Sequence, residues 1–250
     1  MHISFNKSKF MAFAHRGGTE FAPENTYEAF SAAVETGYKY LETDVHPNAD
    51  EKLMAFHDST LDRVTNYIGK IRDFTSQELK KIRVNDKFQI PFLEDLLDSF
   101  SQNYFSIDMK SDESVRPLIK VVKKMNAIDR VCFASFNQQR LDFVREEFKN
   151  KCITSMGPKE IVKTKLCSVF NIKHNVMPLI SSLPIKRYKI ELLNKRHIDF
   201  LKSLNIKVIA WTINDASEIN RLIDLGVDGI MTDNISVLKE ILVKKNLWQQ

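Results

Sequence analysis

Cysteine is scarce. Cys132, Cys152 and Cys167 are an odd number with no CxxC spacing, so a disulfide scaffold is excluded. They read as buried thiols in a reducing compartment rather than as redox or metal ligands. Glycine and proline number only seven each, and nothing in the composition suggests a collagen-like or disordered chain. No apolar run approaches the ~18 residues of a membrane span. Met1–Lys9 lacks the apolar stretch of a secretory signal, and a cytoplasmic protein without stable membrane insertion is expected. No block of lysine and arginine interleaved with aromatics occurs, so nucleic acid is not expected as a partner. Repeats, linkers and low-complexity tracts are also missing. One domain over residues 1–250 is the expectation.

What the chain does have is a core-forming composition, 43% hydrophobic and 28% charged. Its net charge of +5 is mild and favours small anionic ligands. Short β-like runs alternate with helix-period segments, the pattern of βα units around a parallel sheet. The strand candidates are 10–14, 40–45, 53–56, 104–109, 131–134, 152–155, 175–179, 206–212 and 229–231. The helix candidates are 26–36, 113–124, 138–147, 190–203, 216–224 and 236–244. Asn25 with Glu28, and Asp215 with Glu218, carry capping-box spacing.

An α/β fold of the (β/α)8 barrel type accommodates this order, except that nine strands are one too many. The gap His46–Lys52 is too short for a helical crossover, which needs about a dozen residues. The run 53–56 is therefore expected to return antiparallel, as a hairpin after the second strand that brings His57 roughly opposite Glu42. The irregular stretch 59–90 reads as a lid or small insertion on the catalytic face.

Reactive side chains of such barrels sit at the C-terminal strand ends. Those ends here carry His15-Arg16-Gly17-Gly18, then Glu42-Thr43-Asp44, His57-Asp58, and Asp108-Met109-Lys110. Residues two apart on a strand share a face, so Glu42 joins Asp44 and Asp108 joins Lys110. Three carboxylates on one rim repel one another unless a cation neutralises them. An oxygen-only set of this kind suits Mg2+ or Ca2+. Each residue alone has a plainer explanation, as a helix cap, a satisfied histidine or an ion pair such as Lys110 with Asp108. The coincidence of all four motifs, in order and at strand ends, carries the functional reading.

Ala14-His15-Arg16-Gly17-Gly18 followed by Pro23-Glu24-Asn25-Thr26 resembles the opening motif of glycerophosphodiester phosphodiesterases. The resemblance continues through Leu41–Val45, His57-Asp58, Leu61–Thr65, Ile90-Pro91, Leu93-Glu94 and Ile107–Lys110. It closes with Ala210–Asn214 and Gly226–Asp233, and is weakest over 150–205. It implies a TIM barrel that hydrolyses a glycerophosphodiester to glycerol 3-phosphate and an alcohol. It also implies metal ligation by Glu42, Asp44 and Asp108, acid–base roles for His15 and His57, and phosphate contacts from Arg16 and Lys110. Asp108 departs from the pattern, since many members carry glutamate there. The residues leave open whether water or the substrate's glycerol hydroxyl attacks; the resemblance favours the hydroxyl.

Trp211 reads equally as a wall for the glycerol moiety or as barrel core. Phe136 leans to core, Thr232 and Asp233 to capping of the last helix, and Trp248 to packing or a loose tail. Asp58 is a weaker candidate for orienting His57. Two rivals remain. A phospholipase D-type or phosphoinositide-specific enzyme on the same barrel needs an apolar rim, whereas 59–90 is largely polar. A non-catalytic binding barrel would be expected to have lost one of His15, Glu42, Asp44, His57 or Asp108.

Overall fold

The computed structural model describes residues 8–248; most of the Met1–Lys9 stretch read above for a signal lies outside them. The chain opens with β1 (Met11–Ala14), α1 (Tyr27–Glu35), β2 (Tyr40–Pro47) and β3 (Leu53–Ala55). An insertion follows with α2 (Ser76–Leu79), β4 (Arg83–Val84) and β5 (Phe88–Gln89). Next come α3 (Leu93–Ser99), β6 (Tyr104–Met109), α4 (Val115–Lys124), β7 (Val131–Ala134), α5 (Gln138–Glu147), β8 (Ile153–Thr154) and α6 (Pro158–Phe170). The last third holds β9 (Ile180–Leu183), β10 (Lys186–Arg187), β11 (Ile190–Glu191), α7 (Lys195–Ser203), β12 (Lys207–Ala210), α8 (Ala216–Leu225), β13 (Gly229–Thr232) and α9 (Ile235–Lys244).

Eight parallel strands run in the order β8-β7-β6-β2-β1-β13-β12-β9. A parallel bridge between Ser155 and Ile180 joins the two ends, and Met156 N–H donates to the Ile180 carbonyl at 2.8 Å. The sheet is thus a closed (β/α)8 barrel. β3 lies off this path, antiparallel to β2 with Val45 opposite Ala55 and Pro47 opposite Leu53. The expected hairpin is present.

Strand periodicity divides the core in two. Met11, Phe13, Tyr40, Cys132, Ile153, Ile209 and Met231 fill the barrel. Their alternates, such as Ala12, Leu41, Phe105 and Val208, face the surrounding helices. The insertion packs its own apolar cluster, with Leu61, Ile71, Leu79, Ile82 and Val84 against Met54 and Phe56. Trp248 is packing: its ring meets Tyr38 edge-on at 5.1 Å.

Several expectations need correction. The strand expected at 175–179 lies at Ile180–Leu183, beyond Pro178, which has no N–H to give to a central ladder. The helix expected from Ile190 starts at Lys195; Ile190–Glu191 instead pairs with Lys186–Arg187, and Asn194 caps the helix. The helices α3 and α6 were not expected. Asn25 does not cap α1: Thr26 does, its hydroxyl accepting from Ala29 N–H. Asp215 does cap α8, accepting from Glu218 N–H at 2.9 Å, but Glu218 turns to Arg221 rather than back to the cap.

Candidate active site

Inward-facing alternation, continued past the last core layer, produces one cavity at the C-terminal end of the barrel. Above Tyr40 stand Glu42 and Asp44; above Tyr104 stand Ser106, Asp108 and Lys110; above Ile209 stands Trp211. His15, Arg16 and His57 complete a lining that contains every residue predicted for the site.

The turn after β1 sets the first histidine. Arg16, Gly17 and Gly18 all take left-handed backbone, at φ 51°, 85° and 82°. A Cβ on Gly17 would stand 2.9 Å from Phe30 N, so glycine is required by space as well as conformation. The turn aims Arg16 N–H at Glu42 Oε2, 3.0 Å away. His15 Nδ1 lies 2.7 Å from Asp233 Oδ1, and its Nε2 lies 3.9 Å from Glu42 Oε2. Asp233 is itself held by Asn214, whose Nδ2 donates to Oδ2 and whose Oδ1 accepts from Asp233 N–H. The capping expected of Asp233 is therefore replaced by support of His15. Asn234 takes the cap position of α9, and Thr232 Oγ donates to Asn214 Oδ1.

The hairpin brings in the second histidine. Phe56 N–H donates to the Asp44 carbonyl, so the return strand delivers His57 to the rim beside β2. Asp58 Oδ1 stands 2.6 Å from His57 Nδ1. Arg63 from the insertion donates to Asp58 and, through two nitrogens, to Glu24, which also accepts from Arg16. Asp58 thus orients His57, the weaker of its sequence readings. Glu24, Asn25, Arg63, Asn214 and Asp233 were not predicted as site residues. All five fall inside the motifs that carried the resemblance.

Asp44 and Asp108 are direct neighbours across the parallel ladder. Lys110 Nζ bridges them, 2.8 Å from an oxygen of each. Asn25 Nδ2 donates to Asp44 Oδ2, and Arg16 Nε lies 3.3 Å from that oxygen. Among the described residues no three His, Cys, Asp or Glu side chains form a ready-made metal cage. Asp108 Oδ1 is buried without a hydrogen-bond partner.

The electrostatics follow from this packing. Burial, reinforced by Asp44, pushes the Glu42 carboxyl up to about 7. Asp44 is also penalised by burial, but Lys110 and Arg16 outweigh that and hold it below its ordinary value. Burial raises Asp108 despite the pull of Lys110. Burial alone would lower His15, yet the Asp233 hydrogen bond and the Glu42 charge raise it. Burial would likewise raise Asp58, but Arg63 and His57 bring it down to about 2.

Trp211 packs against the barrel core and also lines the cavity, and Phe136, expected in the core, meets it edge-on at 5.7 Å and is 54% exposed. Phe136 stands two residues beyond Ala134 in the inward series, a signal the sequence contained.

A parallel barrel with paired histidines and carboxylates at its C-terminal rim has the layout of a TIM-barrel enzyme, whose reactive groups sit at that face. Residues 15–237 match the glycerophosphoryl diester phosphodiesterase family. A Caldanaerobacter subterraneus protein named glycerophosphodiester phosphodiesterase is 30% identical, over 94% of this chain and 99% of its own. The chain belongs to this family, and with it to the phosphodiesterases. Two solved structures share the fold. A Silicibacter pomeroyi protein named putative glycerophosphoryl diester phosphodiesterase superposes with TM-score 0.81 at 19% identity, covering 100% of this chain and 98% of that one. An Oleispira antarctica phosphodiesterase, solved with its product sn-glycerol 3-phosphate, gives 0.78 at 22% identity, covering 93% and 96%.

Proposed function

We propose that the chain hydrolyses glycerophosphodiesters to sn-glycerol 3-phosphate and an alcohol by His15/His57 acid–base catalysis with a divalent cation. The observation that carries this reading is the pair of imidazoles. Each is anchored through Nδ1 by a carboxylate, Asp233 or Asp58, and both border the cavity that holds Glu42, Asp44 and Asp108. Anchoring one nitrogen leaves Nε2 as the proton-handling atom, and imidazole is suited to both proton roles near neutrality. His57 takes the proton of the attacking hydroxyl, whether of water or of the substrate's glycerol. His15 delivers a proton to the leaving alcohol.

The residues present fit a hard cation. The buried, unpartnered Asp108 Oδ1 and the strained ionisation of Glu42 both call for positive charge. Glu42, Asp44 and Asp108 would hold Mg2+ or Ca2+, both of which accept oxygen ligands. Once bound, the ion supplies Lewis-acid polarisation of phosphate oxygens. Arg16 offers a planar donor to phosphate and Lys110 a point charge on a flexible stem. Trp211 forms an apolar wall for the glycerol moiety. The free thiols Cys132, Cys152 and Cys167 suit a reducing, cytoplasmic compartment, and no helix among the described residues is long and apolar enough to cross a membrane.

The test is release of glycerol 3-phosphate from choline, ethanolamine, glycerol and inositol diesters. Activity lost with EDTA and restored by Mg2+ or Ca2+ is expected. No release from any head group under any divalent ion overturns the reading.

A further inference from the structure

The chain's surplus of positive charge is gathered in one segment. Residues 157–190 hold seven lysines and arginines against a single acid, Glu160, a net +6. The 30 basic and 31 acidic residues elsewhere leave −1. Glu160 offers no relief, because Arg145 donates to both of its carboxylate oxygens. Lys159, Lys163, Lys173, Lys186, Arg187 and Lys189 are all exposed, and among the described residues none of the six forms an ion pair. Exposed lysines elsewhere do find partners, as Lys123 does with Glu147 and Lys195 with Asp199.

The same segment exposes apolar side chains, and α6 shows that this is built in. Its buried residues are Thr164 and Ser168, whose hydroxyls donate back to the carbonyls of Glu160 and Lys165. On the opposite side Val162, Leu166, Val169 and Phe170 follow the i, i+4, i+7, i+8 spacing of one helix face. All four are exposed, Phe170 by 72%. A helix that only covered the barrel would bury that face. By the same spacing Lys159 and Lys163 border the apolar row.

The β10–β11 hairpin repeats the combination. Tyr188, 86% exposed, and Ile190 alternate there with Arg187 and Lys189. The hairpin stands beside the first half of α6, since Tyr188 and Ile190 line the same cavity as Val162 and Leu166. Contiguous exposed apolar surface of this kind marks an interaction site.

We propose that α6 and the β10–β11 hairpin form a docking surface for an anionic phospholipid bilayer. Charge decides between occupants. A second copy of the chain meeting this face about a twofold axis would set +6 against +6. An anionic leaflet instead attracts every one of the unpaired cations, and its headgroup boundary accepts the apolar row. Long lysine stems let the ammonium groups reach the phosphates while Phe170 and Tyr188 enter the boundary. The helix then lies in the surface without spanning it. Val162 and Leu166 belong to both the docking row and the cavity lining, so docking turns the cavity mouth towards the headgroups. The proposal goes beyond the reaction assigned above, and it is read without turnover.

The experiment is cosedimentation of the whole chain with phosphatidylcholine vesicles, with and without an equal share of phosphatidylglycerol. Binding to the anionic vesicles should be at least ~10-fold the stronger. It should weaken as salt is raised from about 0.1 M to about 1 M, which shortens the screening length from about 10 Å to about 3 Å. Lys163→Gln with Lys173→Gln should weaken partitioning by roughly 25-fold, about fivefold for each charge removed. Phe170→Asp should weaken it by at least ~10-fold through lost apolar burial. All three positions lie outside the cavity lining, and unchanged melting temperatures would show that the variants fold. Absence of binding to the anionic vesicles overturns the proposal, as does equal binding to both compositions. Binding that survives all three substitutions overturns this face as the docking surface. A dimer in size-exclusion chromatography that Phe170→Asp dissolves, without vesicle binding, overturns the bilayer and assigns the face to a second copy.

Discussion

His15 Nδ1 and Asp233 Oδ1 meet at 2.7 Å across 218 positions of sequence, and this contact closes the site as the first and last barrel strands close the fold. Asp233 fixes which imidazole nitrogen is free, so in the proposed mechanism it is a positioning residue. Asp233→Asn should lower kcat by at least ~10-fold, part of the ~100-fold or more that acid–base catalysis contributes. KM and the melting temperature should hold. A variant that loses stability and kcat together, or neither, would remove Asp233 from this role.

Replacing either imidazole has a larger expected effect. His15→Ala and His57→Ala should each fold and lose at least ~100-fold in turnover. Both side chains lie at the rim rather than in the packed interior, and circular dichroism should show no change. Near-wild-type turnover in either would exclude that histidine from proton transfer.

Asp108 tests the cation. Its Oδ1 is buried and unpartnered, and its Oδ2 is shared with Lys110. Asp108→Asn keeps the shape and removes a charged donor. The Mg2+ or Ca2+ concentration giving half-maximal activity should rise by at least ~10-fold, since even loss of an outer-shell partner weakens metal binding on that scale. Saturating metal should recover part of the rate. An unchanged metal requirement would show that Asp108 is no ligand.

The turn after β1 is steric as much as chemical. Gly17→Ala forces a Cβ to 2.9 Å from Phe30 N and 3.0 Å from Ala29 Cβ at φ 85°. The strain should cost ~1–3 kcal/mol, with a melting shift of about 2–4 °C per kcal/mol for a domain of this size. Activity should fall more than stability, because the same turn aims His15 and Arg16. Thermal melts and turnover measured on the same sample separate the two effects.

The barrel and the charged floor were legible in the sequence because both follow from a period of two. Tyr40, Glu42 and Asp44 form one inward series, and the short gap before Leu53 forces the hairpin. What failed was whatever depended on distant partners. Asp233 and Asn25 carried plausible local roles as caps, and only the closed barrel brings them to His15 and Asp44. The strand at Ile153–Thr154 was read correctly, but the segment from Pro158 to Ile190 was misread because many of its apolar residues line a cavity instead of a core. The outward apolar face of α6 gives no ordinary helical stripe, and the strand at Ile180–Leu183 contains Ser181 and Ser182, which look like loop. Ser182 is polar there because it too borders the cavity.

His197 supplies a prediction about pH that is independent of the site. It is fully buried on α7, with Nδ1 2.9 Å from the Leu192 carbonyl. A carbonyl only accepts, so Nδ1 carries the proton, and Nε2 is left buried without a partner. Burial, against the support of that hydrogen bond, lowers its pKa to about 4. The unfolded chain takes up this proton near 6.5, whereas the folded chain refuses it until about 4. Stability from this group is therefore complete above about 6.5 and is lost as pH falls towards about 4, with nothing further below. At about 1.4 kcal/mol per pH unit, the gap bounds the loss at about 3.5 kcal/mol. His197→Asn retains an N–H for the Leu192 carbonyl and removes the titration. Denaturant melts between pH 7 and pH 4, about the window just given, should show a steeper loss for the wild type than for the variant. Parallel slopes would mean that His197 is protonated inside the fold.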